Sequence, residues 1–188
     1  MRADSATLAY VGSKPGSPKN LNRDSDAWFT PKVYTDMARE VMGEIDLDPF
    51  SNAYANQRIK AKRYFDSESD AFRQTWFKKQ GRVFMNPPYG RKIVDAAVEL
   101  FLSNWNSKKI SQGIVLVNNA TETRWFQALL HESAALCLPH HRIAFENDDG
   151  KNISGNTRGQ AFLYYGENTS RFSDIFSQIG VALIKNSQ

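Results

Sequence analysis

The stretch Arg82-Val83-Phe84-Met85-Asn86-Pro87-Pro88-Tyr89-Gly90 decides how this chain is read. Val83, Phe84 and Met85 form an apolar run that fits a buried strand. The strand then ends in a stiff polar turn. Neither proline has an N–H, so the turn offers acceptors, the Asn86 side-chain oxygen and the Pro87 carbonyl, with few competing donors. Two converging acceptors suit an NH₂ group. Tyr89 adds a flat face on which a planar ring can stack. A planar ring with an exocyclic amine is a nucleobase such as adenine. The same four residues also suit a plain strand-to-helix turn with a packing tyrosine.

The surroundings favour a site. Ile93, Ala97, Leu100, Phe101 and Trp105 follow at helical spacing, and Gly113 to Val117 is a strongly apolar strand. Upstream, Thr30 and Pro31 read as the cap and first residue of a helix whose apolar face is Val33, Met37 and Val41, closed by Gly43. Ile45 to Phe50 reads as a strand stopped by Pro49, with a helix from Ala53 to Ile59, a strand at Arg63–Phe65 and a short helix from Ala71 to Phe77. Beyond Val117, Thr121 caps a helix through Leu130. Strands are expected at Ala134–Leu138, Ile143–Phe145, Gln160–Tyr165 and Val181–Ile184, with a last helix capped by Ser170. Strands alternating with helices predict an α/β fold: an open, mostly parallel sheet with helices on both faces and an antiparallel hairpin at one edge. Ligands bind such sheets at the carboxyl ends of strands, so Asp48 and Asn86 are expected to line one crevice.

Bulk properties set bounds. A chain of 188 residues suits one catalytic domain, here 26–188, preceded by a flexible arm over 1–25 that contains Lys14, Lys19 and Arg23. The segment 146–159 reads as a long polar loop that can reach a polyanionic partner. The net charge of +4 is a mild pointer to a polyanionic partner. Cys137, the one cysteine, lies in an apolar run and reads as a buried thiol in a reducing, cytoplasmic setting. No apolar run is long enough for a membrane span, and Met1-Arg2-Ala3-Asp4 opens no signal-peptide core. His140 and His141 project oppositely from an extended chain with no third ligand apparent, so no metal is expected.

Asn86-Pro87-Pro88-Tyr89 after a strand resembles the signature of amino-group methyltransferases that use S-adenosylmethionine (SAM). The wider pattern resembles the phage-type DNA N6-adenine methyltransferases, the phage Dam family. The matching pieces are Trp28-Phe29-Thr30-Pro31, Asp46 through Asn52, Asn56, Tyr64-Phe65, Asp70 through Trp76, Asn86 through Gly90, Trp125-Phe126 and Arg142-Ile143-Ala144-Phe145. The resemblance implies a Rossmann-like SAM-dependent methyltransferase fold, a DNA partner in a bacterial or phage-infected cytoplasm, and methylation at adenine N6. It implies that Asn86, Pro87, Pro88 and Tyr89 are catalytic. Thr30 and Pro31 would hold the methionine end of SAM, with Asp48, Pro49 and Phe50 as the first SAM-binding strand end. Asp70 would accept from the SAM adenine amine, although it also suits a helix cap. Here Phe50-Ser51-Asn52-Ala53 replaces the glycine-rich turn common in the family.

The reaction so implied needs no prior base: the acceptors hold both N–H groups of N6 and aim its lone pair at the methyl carbon. A base buried in a duplex must be flipped out to be reached. Phe145 is a candidate second aromatic wall, or else a core residue, and Arg142 a candidate phosphate contact. Once the catalytic domain is assigned, few residues remain for target recognition, which predicts a short or relaxed site. The oligomeric state is open. The alternatives are an RNA-base or protein-glutamine amino methyltransferase, whose NH₂ groups meet the same acceptors, and a non-catalytic DNA-binding phage protein.

Overall fold

A computed structural model of the protein describes residues 29–90, 92–146 and 157–185. The arm over 1–25 and most of the loop over 146–159 lie outside them. The described chain is a mixed α/β fold around a seven-stranded sheet. The strands are β1 (Leu47–Asp48), β2 (Arg63–Tyr64), β3 (Gly81–Met85), β4 (Ile110–Asn118), β5 (Ala135–Pro139), β6 (Gln160–Tyr165) and β7 (Gly180–Ile184). Their order is β2-β1-β3-β4-β6-β5-β7. The pairs from β2 to β4 are parallel, and those from β4 to β7 are antiparallel. Thus β1 to β5 point one way, while β6 and β7 oppose them. The expected edge hairpin is therefore broader: β6 inserts between β4 and β5, and β7 forms the edge.

β3, β4 and β6 bury both faces, so alternate residues feed two cores. Phe84, Ile114, Leu116, Phe162 and Tyr164 face one cluster. This cluster takes in Met37, Ala38 and Val41 of α1 (Lys32–Met42), Ala55 and Ile59 of α2 (Ala53–Ile59), and Phe172 and Phe176 of α5 (Thr169–Phe176). Val83, Met85, Val115, Val117, Leu163 and Tyr165 face the other. There α3 (Ile93–Asn106) and α4 (Arg124–Glu132) supply Val98, Phe101, Phe126 and Leu129. Cys137 is buried in the first cluster, and burial pushes its thiol up to about 12. That is an inert thiol.

Local signals explain the boundaries, with corrections. Pro31, not Thr30, is the N-cap of α1 and leaves the helix without a side-chain cap. Gly43 ends α1 at φ 82, a conformation that favours glycine. Val33 is 53% exposed and does not belong to the buried face, which runs through Thr35, Met37, Ala38, Val41 and Met42. Asn52 caps α2 by accepting from Ala55 N at 2.8 Å. The helix expected at 71–77 is a 3-10 turn at Ala71–Arg73. Thr123 rather than Thr121 caps α4, and Asn168 rather than Ser170 precedes α5. No strand forms at 143–145; instead Phe29 and Glu146 make an isolated antiparallel bridge with both N–H···O bonds, 2.9 and 3.0 Å.

Candidate active site

β1, β3 and β4 lie side by side and parallel, so Asp48, Asn86 and Asn118 come to the same end of the sheet. Pro49 and Pro87 stop their strands because a proline cannot extend a ladder as donor. Asp48 is 1% exposed. Its Oδ1 accepts from Phe50 N at 3.1 Å, and no ion pair reaches it among the described residues. Burial pushes its carboxyl up to about 7, against the opposing pull of the Phe50 N–H and the nearby Ser51 hydroxyl. That hydroxyl is itself buried and finds no well-aligned hydrogen-bond partner.

Asn86 follows β3. Its Nδ2 donates to Thr30 Oγ1 at 3.2 Å across 56 residues of sequence. Its Oδ1 is buried with no partner. Pro87 and Pro88 are buried and Tyr89 is half-buried. The Tyr89 hydroxyl is also buried and unpartnered, and the side chain packs against the second core cluster. Burial raises the phenol's pKa, opposed by the Asn118 main-chain N–H, which is near but poorly aligned, and by the charge of Arg158. Three orphaned polar atoms, Ser51 Oγ, Asn86 Oδ1 and Tyr89 OH, therefore gather on the β1 and β3 exits. A buried polar group without a partner costs about 1–3 kcal/mol, and such groups concentrate where a ligand is to supply the partner.

The remaining sequence candidates separate into two groups. Thr30 joins the site through Asn86, and Pro31 stands next to it at the start of α1. Phe50 reaches the turn that bears Asp70: its ring lies 5.5 Å from Phe72, centre to centre. Asp70 accepts from Phe72 N at 3.1 Å and pairs with Arg73 at 3.2 Å, so it does serve as a cap. It sits at φ 49, an unusual value for a residue with a side chain. Phe145 is 3% exposed inside the first core cluster, which makes it a packing residue rather than a wall of the crevice. Arg142 is exposed.

Two supporting groups escaped the sequence reading. Asp46 braces the sheet. Burial works to raise it, but Arg82, through side-chain and main-chain hydrogen bonds, and Lys62 hold it at about 2. Arg82 N and Nε reach Asp46 Oδ2 at 2.9 and 2.8 Å, locking the start of β3 beside β1. Second, Arg58 pairs with Glu146 at 2.8 Å and lies over the Tyr54 ring, which itself packs on Phe29. This cluster, with the Phe29–Glu146 bridge, fixes the segment that carries Thr30. Tyr54 and Arg58 are a local i, i+4 pair on α2, but Arg82 lies 36 residues from Asp46 and Phe29 lies 25 from Tyr54, and no local rule makes those pairings.

The model of the family described as DNA N-6-adenine-methyltransferase (Dam) matches residues 17–181. The chain belongs to this family, which makes it a DNA adenine methyltransferase by class. No curated protein matches it. Among the described residues no group of His, Cys, Asp and Glu could hold a metal ion, and no helix is long and apolar enough to cross a membrane.

Proposed function

We propose that the chain transfers a methyl group from SAM to N6 of an adenine flipped out of DNA onto the Asn86–Tyr89 turn, and that 26–188 acts as one catalytic unit. The observation that carries this reading is the unpartnered, buried Asn86 Oδ1, fixed from behind by Thr30 at the same sheet end as a buried carboxyl that meets no cation among the described residues.

The residues fit the cofactor a methyltransferase implies. Asp48 is a carboxyl whose charge nothing in the described chain compensates, and an ammonium group is what would compensate it. Ser51 Oγ supplies a further polar atom in need of a partner. Thr30, Pro31, Pro49, Phe50 and Asp70 complete the proposed cofactor set, with Phe50 offering an aromatic face and Asp70 a carboxylate acceptor. When bound, SAM supplies an electrophilic methyl carbon.

The chain's own work is positioning and electrostatics. Lone-pair delocalisation makes an aromatic amine a poor nucleophile. Asn86 Oδ1 and the Pro87 carbonyl accept its two N–H bonds, which favours a tetrahedral nitrogen and aims the lone pair. As positive charge grows on nitrogen, these fixed dipoles stabilise it without reorganising. Thr30 keeps the Asn86 amide in the one orientation that presents oxygen to the substrate. Tyr89 offers its ring for stacking, which offsets part of the flipping cost of a few kcal/mol. Because Asn86 Oδ1 is closed off from solvent, substrate binding includes a shift of the groups that cover it.

The test is incubation with unmethylated DNA and methyl-labelled SAM, digestion to nucleosides and mass spectrometry. N6-methyladenine that vanishes with Asn86→Ala is expected. SAM binding with label on RNA or protein instead of DNA would overturn the reading.

A further inference from the structure

Beside the catalytic turn lies a shallow groove of about 330 Å³ lined by Asn118, Asn119, Glu122, Thr157, Arg158 and Gly159. We propose that it reads the base next to the target adenine and so sets the sequence preference of methylation. The inference rests on the function proposed above.

The groove is a built feature. Its floor is a buried polar network: Gln160 donates through Nε2 to Asn118 Oδ1 at 3.3 Å and to Arg158 O at 2.8 Å, and accepts from Ile143 N at 3.0 Å. Gln160 and Asn118 are 3% and 9% exposed, so these bonds are shielded and rigid. The main chain continues the β4–β6 ladder into the groove, with Asn119 N donating to Gly159 O at 2.9 Å. At Gly159 a Cβ would lie 2.5 Å from Asn119 Nδ2, so the exposed Asn119 side chain lies directly against the Gly159 backbone. On the far side, Thr123 caps α4 and fixes the turn that bears Glu122.

Location ties the groove to the reaction. Asn118, which lines it, ends β4 beside β3, from which the 86–89 turn leaves at the same end of the sheet, and the Asn118 main-chain N–H and the charge of Arg158 both act to lower the Tyr89 phenol against the effect of burial. A base stacked on Tyr89 therefore has its strand neighbour at the groove. A volume of about 330 Å³ lies at the lower end of the roughly 300–1,000 Å³ typical of small-molecule sites, which suits one nucleotide unit.

The chemistry separates base reading from phosphate holding. A phosphate site would not include the exposed carboxylate of Glu122, which repels an anion. A base edge presents donors and acceptors together. Asn pairs with the adenine edge, Arg with guanine O6 and N7, and Glu with the cytosine amine. Asn119, Arg158 and Glu122 place one of each at a single groove, and Arg158 and Glu122 are exposed.

The experiment uses the full chain, SAM and a DNA pool with random bases around a fixed adenine, with methylated molecules identified by sequencing. The wild type is compared with Asn119→Ala, Glu122→Gln, Arg158→Ala and Arg158→Lys. The expected result is a wild-type preference at one position adjoining the adenine that the variants relax or change. The favoured base should lose roughly 5- to 150-fold relative to the others, the range for one good base contact. SAM binding and melting temperature should stay unchanged. A wild type with no flanking preference, or variants that lower methylation uniformly across all sequences, would overturn the inference while leaving the proposed function standing. A wild type that makes no N6-methyladenine overturns both.

Discussion

At the end of β1 the chain leaves through Asp48-Pro49, and at the end of β3 through Asn86-Pro87-Pro88. Both exits follow buried apolar strands, both use proline to stop the ladder, and both bury a polar side-chain oxygen with an unpartnered hydroxyl three residues on, at Ser51 and at Tyr89. They differ in one group. β1 ends in a carboxyl, which can take or give a proton, and β3 ends in a carboxamide, which cannot. Burial therefore acts on them differently. It raises Asp48 to about 7 and leaves Asn86 a neutral acceptor at every pH of interest. The pair teaches that the proposed cofactor half of the crevice answers to pH and the amine half does not.

The sharpest break in that comparison comes from Asn86→Ala. Methyl transfer should fall on the order of 10²- to 10³-fold, as when one transition-state hydrogen-bond partner is removed. SAM affinity by calorimetry should stay within a few-fold. Equal loss of both would mean that the two exits are not separate in function.

Asp48→Asn should act the other way, weakening SAM binding and stabilising the empty protein at high pH. A buried carboxyl raised to about 7 supports folding fully below its unfolded value near 4. That contribution is lost progressively between about pH 4 and pH 7, by roughly 4 kcal/mol in total, and nothing further is lost above 7. Urea unfolding between pH 4 and 8.5 should show stability falling up to about pH 7 and level beyond it in the wild type, with no such slope in the variant. SAM binding should strengthen as pH rises toward 7, releasing protons below 7, detectable as a buffer-dependent binding enthalpy. A pH-independent affinity would show that Asp48 meets no cation.

Thr30→Val tests the link between the exits. Removing the hydroxyl frees the Asn86 amide to turn. kcat should drop roughly 5- to 30-fold, consistent with a hydrogen bond of about 1–2 kcal/mol, with KM for SAM less affected. Thr30→Ser should restore most of the rate. A fall in SAM affinity alone would make Thr30 a cofactor contact only.

The smallest effect is expected from Glu146→Gln, which breaks the pair with Arg58. Both partners are partly exposed, so stability should drop by no more than about 1 kcal/mol, read by urea unfolding. A loss of several kcal/mol would show that the Phe29–Glu146 bridge holds far more of the fold than the single ion pair.

Much of the fold was legible because its signals are local. The unbroken apolar runs Val83-Phe84-Met85 and Ile114 to Val117 mark strands with both faces buried, and α2 and β6 fall where the sequence placed them. Caps were less legible. Thr121 and Thr123 both precede the same apolar run, and only the path of the turn after Asn118 puts Thr123 at the cap. Ile143-Ala144-Phe145 has strand composition, yet the sheet is already filled by β6 beside β5, so it packs as a loop.

The sequence by itself determined the strand exits, the acceptor chemistry of Asn86-Pro87-Pro88-Tyr89 and the placing of Asp48 and Asn86 at carboxyl ends, since each depends on a few neighbouring residues. Tertiary structure alone decided that Thr30 turns the Asn86 amide, that Asp46 braces Arg82, that Phe145 goes to the core, and that Asn119, Glu122 and Arg158 share a groove. It also decided that Asp48 meets no cation among the described residues. A pairing, or the want of one, depends on what the fold brings within a few ångströms, and no local pattern encodes that.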